Sequence, residues 1–303
     1  MDTGGRRVVV RVPAKINLVL AVGPSRSDGY HELATIFHAI SLYDEVTARS
    51  ADDITVTVHG LHADRVPSDD SNLAVRAATT LADYAGVRAG VRLDVHKRIP
   101  VAGGLAGGSA DAAAALVACD VVWDTGLGRA ELVSLAARLG SDVPFALAGG
   151  TALGTGRGER LTPVMVGGTF HWVVAVAEGG LSTPRVYGEL DRLRQSRPVL
   201  ARPEVSLGAM TALRAGDAEA LGAALHNDLQ EAACSLDPSL QATLDSGLGL
   251  GAVAGIVSGS GPTCVFLARD EEHADELATG LMEAKVCAEV EQAVGPVPGA
   301  RLA

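Results

Sequence analysis

The sequence is poor in lysine and has an excess of acidic side chains. Only three of its 25 lysine and arginine residues are lysines (Lys15, Lys97 and Lys285), so each lysine is a candidate for a specific role. The 36 aspartates and glutamates give the chain a formal net charge of −11. This charge is unfavourable for contact with nucleic acid or an anionic membrane surface, so we expect neither as a partner. A phosphorylated ligand would instead need local basic groups, backbone amides and a metal ion.

Cysteine is also scarce, with four residues far apart in the sequence and no C-x-x-C pair. Such spacing is typical of buried, reduced thiols in a cytosolic protein. The first residues lack an apolar signal core, and no apolar run reaches the length of a transmembrane helix. We therefore expect a cytoplasmic protein. At 303 residues the chain is long enough for two domains, each with its own core.

A glycine-rich stretch, PVAGGLAGGS at residues 100–109, lies between a predicted strand and an alanine-rich predicted helix at 109–119. Its glycines permit positive φ angles and a close approach of the backbone to a ligand. The helix start adds unpaired amides and the positive end of the helix dipole. The stretch is therefore predicted to bind phosphate. The predicted contact residues are Pro100, Val101, Ala102, Gly103, Gly104, Leu105, Ala106, Gly107, Gly108, Ser109 and Ala110.

This stretch matches neither common glycine-rich phosphate motif. A P-loop needs a lysine where Ser109 follows Gly108, and the dinucleotide fingerprint needs a glycine where Leu105 and Ala106 occur. On its own, the stretch could equally be a flexible connector between a strand and a helix.

The order of the predicted elements favours an α+β fold, because strands dominate the beginning and helices follow later. Strands are predicted at 7–12 and 16–22, with a bulge or sheet edge at Pro13 that re-aims Lys15. A helix is predicted at 72–85, with Ser71 as its N-terminal cap, and another at 129–139. A third is predicted to begin after Ser141, which would be its N-terminal cap. In the second half, one helix is predicted over 184–195 and another, unbroken, over 217–233. The pattern changes near residue 166, which predicts domains at 1–165 and 166–303.

Three further motifs accompany the glycine-rich stretch: PAKINL at 13–18, GSDVPF at 140–145 and SGSGPT at 258–263. In this order and at these separations, the four motifs resemble those of the GHMP small-molecule kinases. The resemblance implies a two-domain fold with a β-rich N-terminal α/β domain and a C-terminal open α/β sandwich. It places the active site in the cleft between them. It also implies ATP as the phosphoryl donor and Mg²⁺ as the metal.

The matching lysine and aspartate of that family are Lys15 and Asp142 here, and the resemblance implies that they are catalytic. A carboxylate can accept the proton of a substrate alcohol as the phosphoryl group arrives. An adjacent ammonium favours the ionised carboxylate and stabilises an alkoxide-like oxygen. Without the other motifs, Lys15 could be a solvated strand residue and Asp142 a first-turn acid favoured by the helix dipole.

Ser109 is the predicted metal-associated residue, with helix capping as the alternative. The commonest family pattern has a Gly-Gly-Gly-Ser-Ser run, whereas this chain has Ala106 and Ala110. The second hydroxyl is therefore missing, and any metal role it has in the family moves to Ser109 or to water.

The segment DGYHEL at 28–33 resembles a branch of the family whose alcohol substrate is a cytidyl diphosphate conjugate of methylerythritol. In that branch the residues matching Tyr30 and Tyr187 enclose the cytosine ring, and the residue matching His31 hydrogen-bonds its edge. These residue types suit a flat base with donors and acceptors on its rim. Asn17 is expected to face the substrate's diol and ribose, and Thr183 lies in the same substrate segment as Tyr187.

Two alternatives remain at this point. The chain could be a GHMP kinase for another alcohol, such as homoserine or a mevalonate-type acid, or a binding protein of the same fold without catalysis. Tyr30, His31 and Tyr187 argue against the first, because those substrates have no base, and Lys15 with Asp142 argues against the second. The expected assembly is a monomer or weak homodimer.

Overall fold

The computed structural model describes residues 6–27, 29–101, 103–195 and 202–303. The strands of this part of the chain are β1 (Arg7–Ser25), β2 (His31–Ala51), β3 (Thr55–Gly60), β4 (Gly90–Lys97), β5 (Thr151–Gly156), β6 (Arg160–Pro163), β7 (Phe170–Val176), β8 (His226–Asn227), β9 (Ala254–Val257), β10 (Cys264–Ala268), β11 (Glu289–Gly295) and β12 (Arg301–Leu302). The α-helices are α1 (Leu73–Ala85), α2 (Gly107–Trp123), α3 (Arg129–Leu139), α4 (Val143–Ala148), α5 (Thr183–Arg194), α6 (Leu207–Ala215), α7 (Ala218–Gly222), α8 (Gln230–Leu236), α9 (Ser239–Gly249) and α10 (Glu271–Ala284).

The first sheet is built on the long antiparallel pair β1 and β2. Its strand order is β12-β1-β2-β4-β3, with β5 paired to β2, β6 paired to β5, and β8 parallel to β1. The pairing register shifts between Pro13 and Ala14, which lie opposite Tyr43 and Ile40. The predicted bulge is therefore confirmed, and β1 continues through it as one strand. Lys15 follows the bulge directly.

Helix α2 packs against β1 and β2 and is the best-buried helix of this half. Its run of alanines, from Ala112 to Ala115, is fully buried. Such small side chains let the helix backbone lie close to the sheet, which fixes where the glycine-rich stretch before it emerges.

The second sheet is antiparallel, in the order β11-β7-β10-β9, and both of its faces are covered. In β7, Phe170, Trp172 and Val174 belong to the core shared with the first sheet and α2. The intervening Val173 and Ala175 belong to a second core formed with α5, α8, α9 and α10. Burial on both faces explains why β7 is almost continuously apolar. The α+β fold class is confirmed.

Several local predictions were wrong because a neighbouring contact overrides the pattern. The cap of α1 is Asn72, whose side chain accepts from the Ala74 amide, rather than Ser71. At the start of α4 the cap position is Asp142 rather than Ser141. The helix predicted over 217–233 is broken, since residues 226–227 leave it to pair with β1 as β8.

The predicted domain division falls between β6 and β7. Two short strands from beyond it, β8 and β12, nevertheless pair with β1 in the first sheet. The division at 165/166 stays a prediction. All four cysteine thiols are free; Cys119 and Cys264 are buried, while Cys234 and Cys287 are partly exposed. Among the described helices, none has both the length and the apolar composition needed to cross a bilayer.

Candidate active site

A cavity of about 780 Å³ opens between the first sheet and the elements that follow β7. Strands β1 and β2, the start of α2 and the residues before α4 form one side of it. Helix α5 and residues 259–261, in the loop between β9 and β10, form the other. All four motifs of the sequence therefore meet at one cavity.

Lys15 is the most constrained cation of the cavity. Its ammonium donates to Asn17 Oδ1 at 2.7 Å and to the carbonyl oxygen of Gly104 at 3.1 Å. The residue is only 7% exposed. Asn17 is held in turn, because its amide nitrogen donates to Thr35 Oγ1 at 2.8 Å. This chain of bonds fixes the position of the ammonium before any ligand arrives.

Asp142 lies across from Lys15 at the cap position of α4. Its Oδ2 is 3.7 Å from Lys15 Nζ, and its side chain is 31% exposed to the cavity. That separation is an ion pair without a direct hydrogen bond. The carboxylate therefore remains able to accept a proton or hydrogen bond from a third group that lies beside the pair.

The glycine-rich loop wraps the start of α2. Helix α2 begins at Gly107, and the first helical hydrogen bond runs from the Ala110 amide to the Ala106 carbonyl. The amides of Gly107, Gly108 and Ser109 therefore precede the helical ladder at the positive end of the dipole. Ala106 itself adopts a left-handed conformation with φ of 59°.

The predicted loop residues divide by environment. Those that line the cavity are Gly103, Gly104, Ala106, Gly107, Gly108 and Ser109. Pro100, Leu105 and Ala110 are buried in the protein instead. Val101 lines a second, smaller cavity, and Ala102 lies outside the described residues.

Only one glycine of the described loop, Gly104, has a positive φ, at 75°. Its backbone lies so close to the loop between β9 and β10 that a Cβ atom there would be 2.2 Å from the Ser258 carbonyl oxygen. At Gly107 a Cβ would instead be 3.2 Å from Lys97 Nζ and from Ile99 Cγ2. Gly104 is therefore required by packing against the protein itself, whereas at Gly107 the space is tight.

Ser109 is the third residue of α2, so the alternative that it caps the helix was wrong. Within the described part of the chain its hydroxyl has no hydrogen-bond partner, and it lines the cavity. A hydroxyl in this position is available to a phosphate or to a phosphate-bound cation.

The loop at residues 258–261 lies against the glycine-rich loop. Ser258 Oγ donates to the Gly104 carbonyl at 3.2 Å. Asn227 secures this loop from behind, because its amide nitrogen donates to the carbonyls of Val257 and Gly259 at 2.8 and 2.7 Å. In the sequence, Asn227 is explained equally well by capping and solvation, so it was not selected; its contacts lie 30 and 32 positions away along the chain.

The base-binding candidates lie together in the same cavity. The His31 and Tyr187 rings have centroids 5.0 Å apart and are tilted by 33°. Tyr30 is 53% exposed, and the Arg157 guanidinium lies 5.0 Å from its ring centroid. Thr183 Oγ1 lies 2.9 Å from Ser260 Oγ. Sequence reasoning missed Arg157 and also Asp191, whose Oδ1 is 2.9 Å from His31 Nε2.

The second cavity, of about 260 Å³, lies on the other side of the glycine-rich loop. It shares Leu73, Gly107 and Gly108 with the first. Beneath it, the buried ammonium of Lys97 donates to Asp44 and, at 2.7 Å, to Asp111 Oδ2. Burial raises the pKa of Asp111 to about 8, against the opposing effect of Lys97.

Asp44 also accepts hydrogen bonds from the amides of Arg98 and Ile99, at 2.6 and 2.9 Å. The Asp44–Lys97–Asp111 cluster therefore ties the end of β4 to the first turns of α2. It supports the glycine-rich loop from below.

Comparison with known proteins agrees with this geometry. The model of the GHMP kinases N terminal domain matches residues 72–150, and that of the GHMP kinases C terminal matches 209–286. The 4-diphosphocytidyl-2-C-methyl-D-erythritol kinase of Thermobifida fusca is 56% identical over 301 residues, which cover 97% of both chains. The chain belongs to the 4-diphosphocytidyl-2-C-methyl-D-erythritol kinase family of GHMP kinases.

Further comparisons, one with a relative's sequence and two with solved structures, are consistent with this assignment. The Salinispora arenicola protein is 58% identical over 294 residues, covering 97% of this chain and 93% of its own. A crystal structure of a 4-(cytidine 5'-diphospho)-2C-methyl-D-erythritol kinase superposes with a TM-score of 0.77 at 32% identity, covering 94% of this chain and 98% of that one. A homoserine kinase from Cytophaga hutchinsonii has a TM-score of 0.76 at 18% identity over 100% of this chain and 99% of its own, a likeness of fold alone.

Proposed function

We propose that this protein transfers the terminal phosphoryl group of ATP to the 2-hydroxyl of 4-diphosphocytidyl-2-C-methyl-D-erythritol, giving the 2-phosphate and ADP in the non-mevalonate isoprenoid precursor pathway. The observation that carries the proposal is the Lys15–Asp142 pair, 3.7 Å apart beside the glycine-rich loop in a cavity that Tyr30, His31 and Tyr187 also line. The names of the relatives described above support the same substrate.

In the proposed reaction Asp142 accepts the proton of the substrate hydroxyl while the oxygen attacks the terminal phosphorus. The bond from that phosphorus to the bridging oxygen breaks, and ADP leaves. Lys15 stabilises the negative charge on the attacking oxygen. Asn17, which accepts from Lys15 and donates to Thr35, holds the ammonium in place for this role. Its contact with the substrate's diol and ribose stays a prediction.

The phosphates of ATP are proposed to lie at the start of α2. The amides of Gly107, Gly108 and Ser109 and the helix dipole would offset their charge. The rest of the nucleotide is proposed to lie in the second cavity, which shares Leu73, Gly107 and Gly108 with the first. This arrangement brings the terminal phosphate toward Lys15 and leaves the first cavity to the alcohol.

Mg²⁺ is proposed as the metal. Among the described residues no group of three or more histidine, cysteine, aspartate or glutamate side chains could form a protein-only site. Mg²⁺ fits the site in another way, because it usually takes one or two protein ligands together with substrate phosphates and water. Ser109, whose hydroxyl has no hydrogen-bond partner among the described residues, is proposed to bind the Mg²⁺ ion. When bound, the ion would offset phosphate charge.

The cytidine end of the substrate is proposed to lie between Tyr30 and Tyr187, with His31 reading the base edge and Thr183 nearby. Arg157 is proposed to pair with the diphosphate, since it lines the same cavity and its guanidinium lies 5.0 Å from the Tyr30 ring centroid. Among the described residues Arg157 forms no ion pair, so it is available to the diphosphate.

We also propose the domain division at 1–165 and 166–303, with the active site in the cleft between them. The cytoplasmic location and the state of monomer or weak homodimer stay predictions.

The decisive experiment is phosphate transfer from ATP to the cytidyl substrate, measured beside homoserine and mevalonate. We expect product only from the cytidyl substrate, dependent on Mg²⁺. Transfer to homoserine or mevalonate instead would contradict the substrate assignment. Absence of transfer to all three would favour a binding protein without catalysis.

A further inference from the structure

Asp191 is hydrogen-bonded to His31, the residue that is proposed to hydrogen-bond the edge of the cytosine base. Its Oδ1 lies 2.9 Å from His31 Nε2, and the His31 side chain is only 7% exposed whereas that of Asp191 is 53% exposed. Asp191 and Tyr187 are four positions apart on α5 and therefore lie on the same face of that helix. One helix face thus fixes the imidazole twice, through the Tyr187 ring and through a carboxylate.

The carboxylate determines which imidazole nitrogen carries the proton. An ionised carboxylate only accepts hydrogen bonds, so Nε2 must be the donor. A neutral imidazole has one proton, which leaves Nδ1 as an acceptor. Among the described residues Nδ1 has no hydrogen-bond partner, and His31 lines the first cavity.

We propose that Asp191 is a positioning residue that sets the base preference of the site. By keeping the proton on Nε2, it presents Nδ1 as an acceptor to the exocyclic amino group of cytosine. At the same ring position uracil carries a carbonyl oxygen, which also only accepts, so the two lone pairs would face each other. The inference rests on the proposed function and deepens it.

The expected effect follows from the cost of leaving a polar group without its partner. Such a mismatch changes affinity by about 5- to 100-fold. Without Asp191 the imidazole can place its proton on either nitrogen, and the uridyl analogue can then be accepted through Nδ1–H. The preference for cytosine should therefore decrease through KM, with little change in kcat, because Asp191 is bonded to His31 and to neither Lys15 nor Asp142.

The test compares the full-length wild-type protein with Asp191→Ala, using the cytidyl substrate and its uridyl analogue. In Asp191→Ala we expect the cytidyl-over-uridyl ratio of kcat/KM to decrease about 5- to 100-fold, with the KM for ATP unchanged. Asp191→Glu keeps a carboxylate and should restore much of the preference. Arg192→Ala is the matched control, since Arg192 is the next residue of α5, is exposed and pairs with Glu189.

Nitrogen-15 NMR of the histidine ring gives a readout that does not depend on turnover. In the wild-type protein the His31 signals should show a protonated Nε2 and an unprotonated Nδ1, and in Asp191→Ala a mixture of the two tautomers. A wild-type ring protonated at Nδ1, or at both nitrogens at neutral pH, would overturn the inference. So would a folded, active Asp191→Ala variant that keeps the wild-type base preference.

The two proposals fail in distinguishable ways. If the wild-type protein phosphorylates the cytidyl substrate selectively while Asp191→Ala does the same, only the role of Asp191 is wrong. If the wild-type protein does not phosphorylate the cytidyl substrate at all, the proposed function is wrong and the base preference is overturned with it.

Discussion

Lys15 donates a hydrogen bond from its ammonium to the carbonyl oxygen of Gly104, 3.1 Å away. The backbone amide of Lys15 also donates to the carbonyl of Leu105 at 3.2 Å. The proposed catalytic cation and the proposed phosphate-binding loop are therefore one hydrogen-bonded unit. A displacement of the loop should move the ammonium with it.

Gly104→Ala should impair both stability and turnover. The left-handed φ of 75° costs an alanine about 1–2 kcal/mol, and the new Cβ would be 2.2 Å from the Ser258 carbonyl oxygen. We expect a larger loss in the free energy of unfolding than the φ term alone, measured by urea denaturation. We also expect a lower kcat, because the loop must shift away from Lys15.

Gly126→Ala is a control that separates the backbone strain of a positive φ from the steric clash of a new Cβ atom. Gly126 has a φ of 63°, but a Cβ atom added there would have no neighbouring atom within 4 Å, and the residue lies away from the cavity. That variant should lose only about 1–2 kcal/mol and keep its turnover. Equal effects of the two variants on kcat would show that loop packing does not position Lys15.

Asp142→Asn should abolish most phosphoryl transfer while leaving ATP affinity nearly intact. A positioned base contributes about 10²–10⁴ in rate, and the amide has the same shape as the carboxyl group. The measurements are single-turnover kinetics and calorimetric titration with ATP. If the purified variant turns over at the wild-type rate, Asp142 has no part in proton transfer.

Tyr30→Ala should raise the KM for the cytidyl substrate and leave the KM for ATP unchanged. Stacking of a base on an aromatic ring is worth about 1–3 kcal/mol, which corresponds to about five- to a hundredfold in affinity. Tyr84→Ala is the control, because Tyr84 is similarly exposed at 51% but lies on α1, where it donates to Glu131. Damage confined to ATP binding would move Tyr30 to the nucleotide site.

His38 should make the protein sensitive to mild acid. Its imidazole is fully buried, hydrogen-bonded to Thr151 and packed edge-on against Phe170 and Trp172. Burial lowers the pKa of His38 from 6.5 to about 3. Between these values the unfolded chain binds the proton and the folded protein does not, so stability decreases as the pH falls.

From pH 6.5 to pH 5 this group alone should reduce the free energy of unfolding by about 1.5–2 kcal/mol. His38→Asn removes the titration, so the variant should show a smaller decrease over that interval, whatever its stability at neutral pH. His59→Asn, at an exposed histidine of β3, should keep the wild-type slope. Urea denaturation at a series of pH values measures all three, and identical slopes for wild type and His38→Asn would contradict the assignment.

The sequence by itself determined the features that depend on short-range patterns. The helix over 129–139 and the bulge at Pro13 follow from local periodicity and from the missing amide of proline. The four motifs identified the family because each carries its residue types at a fixed spacing. Two of them contain Lys15 and Asp142, and the separate resemblance of the segment at 28–33 led to His31 and Tyr187; the fold brings these four predicted site residues to one cavity.

Only the tertiary structure decided which residues hold those side chains in place. Asp191 meets His31 across 160 positions of sequence, and no local period predicts such a contact. Residues 226–227 pair with β1 instead of continuing a helix, and from there the Asn227 side chain donates to the carbonyls of Val257 and Gly259. Position 104 must be glycine because the Ser258 carbonyl oxygen, in a loop distant in sequence, would be 2.2 Å from a Cβ atom there. The residues next to Gly104 in the sequence do not indicate this contact. Local propensity specifies the elements, whereas the positions of the polar groups in the cavity depend on which distant elements pack together.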